Sequence, residues 1–115
     1  MWYNDMTAFL GQFLLQTEPS AAPTGFAVMS MDSSSITLTW NILICFDQNG
    51  PLLGYVIEYT PDGGRASTTL LMGSKQLTGL IACTKYTLRI AAQNDADTGD
   101  FSSPLSVITN GTGKA

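Results

Sequence analysis

The feature that most restricts the fold of this chain is side-chain alternation within short segments. In residues 35–40, Ile36, Leu38 and Trp40 fall on one side of an extended chain, and Thr37 and Thr39 fall on the other. A period of two is the mark of a strand with one buried face. Residues 54–60 repeat the scheme, with Tyr55, Ile57 and Tyr59 inward and Glu58 outward, and they stop at Pro61-Asp62-Gly63-Gly64. Proline presets φ and glycine accepts positive φ, so this tetrad predicts a hairpin turn. Further on, Tyr86, Leu88, Ile90 and Ala92 alternate with Thr87, Arg89 and Ala91. Fainter segments at 26–31, 66–72, 75–79 and 105–109 bring the strands to seven. Seven short strands separated by Gly, Pro, Asn and Asp predict an all-β sandwich of two antiparallel sheets.

Composition limits what such a sandwich can do. With 115 residues, 44% apolar and 12% charged, the chain supports one buried core without metals or many disulfides. It has no histidine, which excludes Ser-His-Asp and Cys-His catalysis and any zinc site that needs imidazole. Its two cysteines cannot build a four-thiolate metal site. A net charge of -4 opposes the phosphate neutralisation on which nucleic-acid binding depends, and it disfavours an anionic membrane surface. No apolar run reaches the ~20 residues of a transmembrane helix. No cofactor is expected.

An ordered set of residues carries a family resemblance. Pro23 precedes the first strand, Trp40 closes the second, and Asn49-Gly50 with Gly54-Tyr55 leads into the third. Leu80, Thr84 and Tyr86 follow, then Ala92, Asn94, Gly99, Phe101, Ser102, Pro104 and Thr109. In this order they resemble the fibronectin type III domain over residues 19–110. The resemblance implies a seven-stranded immunoglobulin-like sandwich with Trp40 at its centre and Tyr86 as a corner tyrosine whose hydroxyl bonds to backbone near Leu80. The expected core is Trp40, Tyr55, Ile57, Leu80, Tyr86, Leu88 and Ile90. Two departures stand out. Where the family often has prolines after the tryptophan, this chain has the apolar run Ile42, Leu43, Ile44, Cys45 and Phe46, and Ala82 stands where a proline is common.

Candidate sites follow from the loops. Ile42, Leu43, Ile44 and Phe46, in the loop after the second strand, would give apolar contacts to a protein partner. Asp95, Asp97 and Asp100, in the loop before the last strand, would form a charged rim at the same pole. The acidic spacing does not match an EF-hand: the sixth position from Asp95 is Asp100 instead of glycine, and the twelfth is Ser106 instead of glutamate. Thr98-Gly99-Asp100 lacks the arginine of the integrin-binding tripeptide found in some members of the family. Gly111-Thr112-Gly113-Lys114 fails as a phosphate loop, because its first glycine would fall at Ile108. Asn110-Gly111-Thr112 is an N-glycosylation acceptor, to be used only if the chain is secreted.

Cys45 and Cys83 are expected at opposite poles, about a strand length or roughly 20 Å apart. A disulfide needs Cα atoms within ~7 Å, so two separate, half-buried thiols are expected. Free thiols leave an intracellular setting open beside the cell-surface setting that the resemblance implies.

Residues 1–18 lie outside the resemblance. Met6, Phe9, Leu10, Phe13 and Leu14 recur at helical spacing with Asn4 or Asp5 as N-cap, predicting a short amphipathic helix. A signal peptide is a competing reading, because Ser20-Ala21-Ala22 has the small residues of a cleavage site, but no Lys or Arg precedes the apolar stretch, and a non-domain leader in place of a neighbouring module of a longer tandem protein is a third. The organisation is therefore a leader at 1–18, a sandwich at 19–110 and a flexible tail at 111–115. The resemblance implies a non-catalytic module of a cell-surface or receptor-type protein, serving adhesion or as a spacer between neighbouring modules. The alternatives are ligand binding through the two loops and an intracellular scaffold role. Weak self-association through the leader is a further expectation.

Overall fold

The computed structural model describes residues 17–111. The helix expected on Met6, Phe9, Leu10, Phe13 and Leu14, the competing signal-peptide reading of the apolar stretch, and the tail beyond Gly111 lie outside the described residues. The seven strands are β1 (Ala27–Met31), β2 (Ile36–Thr39), β3 (Leu52–Pro61), β4 (Ser67–Leu71), β5 (Gln76–Leu77), β6 (Lys85–Asn94) and β7 (Leu105–Ile108). One helical turn, α1 (Cys45–Gln48), interrupts the β2–β3 connection.

The strands form two antiparallel sheets, one in the order β1-β2-β5 and the other β4-β3-β6-β7. Their apolar sides meet. Ile36, Leu38 and Leu77 from the first sheet pack against Ile57, Tyr86, Leu88, Ile90 and Val107 from the second, with Trp40, Leu71 and Leu80 in the same cluster. Tyr55 and Tyr59 are partly buried against it. Each fully buried Leu or Ile contributes about 1.5–3 kcal/mol of transfer free energy, so this layer dominates the stability. A register shift between Val28 and Ser30 turns Met29 out of the alternation, and its side chain is exposed.

The expected hairpin joins β3 to β4, with Gly63 at φ 77 and the Gly64 N–H donating to the Pro61 carbonyl at 2.8 Å. Gly54 allows a close strand approach, because a Cβ there would come within 2.5 Å of the Leu71 carbonyl oxygen. On the outer face Glu58 and Arg89 sit directly opposite in the β3–β6 register and form an ion pair at 2.6 Å. The Arg89 guanidinium also lies 4.7 Å from the centre of the Phe101 ring.

At the pole where β7 ends, the Tyr86 hydroxyl accepts the Ile81 N–H at 3.0 Å. Thr109 closes the same corner by donating its hydroxyl to the Ile81 carbonyl at 2.6 Å. Cys83 sits in this corner at φ 51, and its N–H donates to the Asn110 carbonyl. Cys45 belongs to α1 at the other pole, and both thiols are free. The expectation of half-buried thiols is corrected: both side chains are exposed, because each sits on a connection that turns at the rim of the sandwich.

Candidate functional site

The pole opposite the tyrosine corner gathers three segments: residues 17–25 leading into β1, the β2–β3 connection with α1, and the β6–β7 connection. Asn94, the last residue of β6, ties them together. It is buried with 1% of its surface exposed. Its Nδ2 donates to the carbonyls of Thr17 at 2.6 Å and Gln48 at 2.8 Å, with a longer contact to Asn49 at 3.3 Å. Its Oδ1 accepts the N–H groups of Ala96 at 2.9 Å and Asp97 at 3.1 Å. A buried amide satisfied on both sides fixes the backbones around it, since breaking the set would leave several polar groups unpaired.

Further bonds extend this clamp. Asn49, in the left-handed conformation at φ 55, donates its side-chain amide to the Glu18 carbonyl at 3.0 Å. The Ser20 N–H donates to the Asp47 carbonyl at 2.9 Å, and the Ser20 hydroxyl donates to Asp47 Oδ1 at 3.0 Å. Pro19 is fully buried, and a Cβ on Gly99 would come within 2.7 Å of the Pro19 carbonyl oxygen. Residues 17–20 thus lie pinned between α1 and the β6–β7 connection.

The apolar run proposed as a contact surface splits. Ile42, Ile44 and Phe46 point into solvent, with 71%, 64% and 85% of their surfaces exposed. Leu43 does not join them: its side chain is buried at 6% exposure, so the expectation that all four present a surface is corrected. The reason is local. The Leu43 N–H donates to the Tyr55 hydroxyl at 3.1 Å and its carbonyl accepts from Gln48 Nε2 at 2.9 Å, which turns residue 43 inward between two outward neighbours. Ile42 lines two grooves at once. One is shared with Ala21, Pro23, Ile44 and Asp47, and the other with Trp40, Tyr55, Leu71 and Lys75. The Lys75 ammonium stands 4.9 Å from the centre of the Trp40 ring.

Asp95, Asp97 and Asp100 are all exposed on the β6–β7 connection. Asp97 Oδ1 accepts the Thr98 N–H at 2.7 Å, so one of its oxygens is engaged locally. Among the described residues no three carboxylate or thiol groups are placed to hold a metal ion together. Asn110 lies exposed at the far pole, its amide donating to the Met31 carbonyl at 3.2 Å. Asn94 stands at the end of its strand, as the resemblance implies, but its role as a clamp is not signalled by the residues around it in sequence. Its partners lie as many as 77 residues away along the chain, and no local spacing signals them.

Comparison with known proteins agrees with this architecture. The family model for the fibronectin type III domain matches residues 21–108. Human contactin-3 is 33% identical over 106 residues, a span that covers 87% of this chain and 10% of that protein. Human contactin-2 is 35% identical over 100 residues, covering 82% of this chain and 10% of that protein. The chain therefore spans about a tenth of the length of the curated relatives it matches. Among solved structures, the fn3 domain of human contactin 1 superimposes with a TM-score of 0.71 at 25% identity, covering 86% of this chain and 85% of that one.

Proposed function

The chain belongs to the fibronectin type III domain family, and from that premise we propose that it is a non-catalytic protein-contact module of a cell-surface adhesion protein, with its contact surface at the α1 pole. The observation that carries this reading is the exposure of Ile42, Ile44 and Phe46 on a connection that the Asn94 clamp holds in place. Exposed apolar side chains are costly in water, and on a fixed backbone they form a surface suited to a partner. Asp95, Asp97 and Asp100 supply the polar rim. The likeness to contactin modules supports the cell-surface setting, and in that setting Asn110 would carry a glycan at the far pole, away from the contact. The lack of histidine supports the non-catalytic assignment. No described helix is long and apolar enough to cross a membrane.

The second reading is a spacer whose pole only fixes how the preceding chain joins the sandwich. The bonds from Asn94, Asn49 and Asp47 to residues 17–20 favour it. The test is recovery of protein partners from cell-surface extract on the parent chain and on an Ile42→Ser/Phe46→Ser variant of equal stability. The contact reading expects partners that the parent retains and the variant loses. Equal recovery would leave the spacer.

A further inference from the structure

The groove bounded by Trp40, Ile42, Tyr55, Leu71 and Lys75 joins an apolar wall to a single cation. It opens where β2 and β4 end and β3 begins, so it adjoins the α1 pole, and Ile42 also lines the neighbouring groove beside α1. Two hydrogen bonds fix its parts. The Tyr55 hydroxyl accepts the Leu43 N–H at 3.1 Å, and the Lys75 carbonyl accepts the Leu38 N–H at 2.7 Å, which holds Lys75 beside β2. The Lys75 ammonium stands 4.9 Å from the centre of the Trp40 ring, and among the described residues no carboxylate lies within ion-pair distance of it. Trp40 itself is 6% exposed, and its Nε1–H is the one buried side-chain polar group of the described residues without a hydrogen-bond partner. An ammonium without a counter-charge and an indole N–H without an acceptor call for the same chemistry, an anionic oxygen.

Resting on the reading of this pole as a contact surface, we propose that the groove anchors a partner-protein segment carrying a large aliphatic side chain two residues from a carboxylate. The aliphatic group packs on Trp40, Ile42 and Leu71, and the carboxylate takes Lys75 and the Trp40 Nε1–H. In an extended segment residues i and i+2 share a face, which brings both groups to one groove. Size favours a side chain over a free ligand: the volume is about 250 Å³, below the ~300–1,000 Å³ of enclosed small-molecule sites. Charge complementarity selects the acid. The chain carries a net charge of -4, so its general field repels carboxylates and a preference for them has to come from Lys75.

The test titrates blocked tripeptides into the full chain and follows the indole N–H resonance of Trp40, assigned with a Trp2→Phe variant that removes the other indole signal. Acetyl-Leu-Gly-Glu-amide should shift that resonance saturably, and it should bind about tenfold more tightly than acetyl-Leu-Gly-Gln-amide or acetyl-Gly-Gly-Glu-amide. Lys75→Gln keeps the main-chain bond to Leu38 and should erase the preference for Glu over Gln, whereas Lys75→Arg should retain it. Lys85→Gln removes one charge at the start of β6, by the opposite pole, and should leave the preference unchanged.

Three results would overturn the proposal. One is a Trp40 resonance indifferent to all three peptides. Another is a preference for Glu that survives Lys75→Gln, which removes the ion pair. The third is binding of free 4-methylpentanoate as tight as that of the Leu-Gly-Glu peptide, which assigns the groove to a small organic acid. The two proposals fail separately. Partner recovery from cell-surface extract that is lost with Ile42→Ser/Phe46→Ser but kept with Lys75→Gln overturns the anchor and leaves the contact surface standing. Recovery unchanged by either variant removes the contact reading, and the anchor with it.

Discussion

The side-chain amide of Asn94 lies 2.6 Å from the carbonyl oxygen of Thr17, 77 residues earlier in the chain, so the end of the central strand β6 holds the segment that leads into the domain. The same nitrogen reaches Gln48, and the amide oxygen holds the turn at Ala96 and Asp97. One buried group therefore sets the relative positions of three backbone segments, and it provides the rigid base from which Ile44 and Phe46 project.

Replacing Asn94 by Ala should destabilise the domain by about 2–3 kcal/mol, because buried donors and acceptors on several segments lose their partner together. Asn94→Asp should cost a comparable amount: it keeps the acceptor for Ala96 and Asp97 but turns a carboxylate toward main-chain carbonyls. Urea unfolding measures both, and amide hydrogen exchange at Ala96 and Asp97 should quicken more in the alanine variant. A loss under about 0.5 kcal/mol for either variant would show that water replaces the clamp.

At the other pole the Tyr86 hydroxyl accepts the Ile81 N–H. Tyr86→Phe keeps the buried ring and removes only that acceptor, so it should cost about 1 kcal/mol and leave the fold intact. Faster exchange of the Ile81 amide, with the remaining β6 amides unchanged, is the expected signature. An unaltered Ile81 amide would remove the hydroxyl's role in the corner.

Which of these relationships could be read from sequence follows from their range along the chain. The inward sets Ile36/Leu38/Trp40 and Tyr86/Leu88/Ile90/Ala92 repeat within a few residues, so strand identity and facing were legible, as was the turn at Pro61-Asp62-Gly63-Gly64. The conformation of residues 42–48 was not. Its apolar run shows neither period cleanly, and the inward turn of Leu43 depends on the Tyr55 hydroxyl from a neighbouring strand. Helix α1 has no side-chain N-cap to announce it, since Ile44 occupies that position. Asn94 could be placed at its strand end by its resemblance to the family, but its bonds run to residues that only the fold brings near.

Trp40 is 6% exposed, and its ring centroid lies 5.3 Å from that of Tyr55. Truncating it to Ala opens the largest single void available in the core cluster and leaves Lys75 without its aromatic neighbour. The expected loss is about 3–5 kcal/mol by denaturant unfolding, a large share of a typical domain's stability. A loss below about 1 kcal/mol would contradict the packing of Trp40 between the sheets.

Cys45 and Cys83 are free and belong to opposite poles, so the folded monomer should contain no bridge between them. Mass mapping without reductant should recover each in a separate peptide, and a reductant should leave the melting temperature unchanged. A single peptide pair joined through both residues would require one pole to be rebuilt.

Among the described residues, Asp32 offers the clearest dependence on acid. Its Oδ1 accepts the N–H groups of Ser34 at 2.9 Å and Ser35 at 2.8 Å and the Ser35 hydroxyl at 3.0 Å, closing the turn between β1 and β2. The Ser34 N–H bond first, then the Ser35 hydroxyl and the Ser35 N–H, hold its carboxyl below the ordinary aspartate value. Because the folded chain binds this proton less readily than the unfolded chain, the carboxylate's contribution is present in full above the unfolded value of about 3.9 and is lost as pH falls through the lower folded value. Asp32→Asn keeps an acceptor oxygen but has no charge to titrate. Its melting temperature should therefore lie below the parent's at neutral pH, and the gap should narrow as the solution is taken below about pH 4. Thermal melts of the two proteins across that range provide the check. A gap that stays constant to the acid limit would show that the turn does not depend on the charge of Asp32.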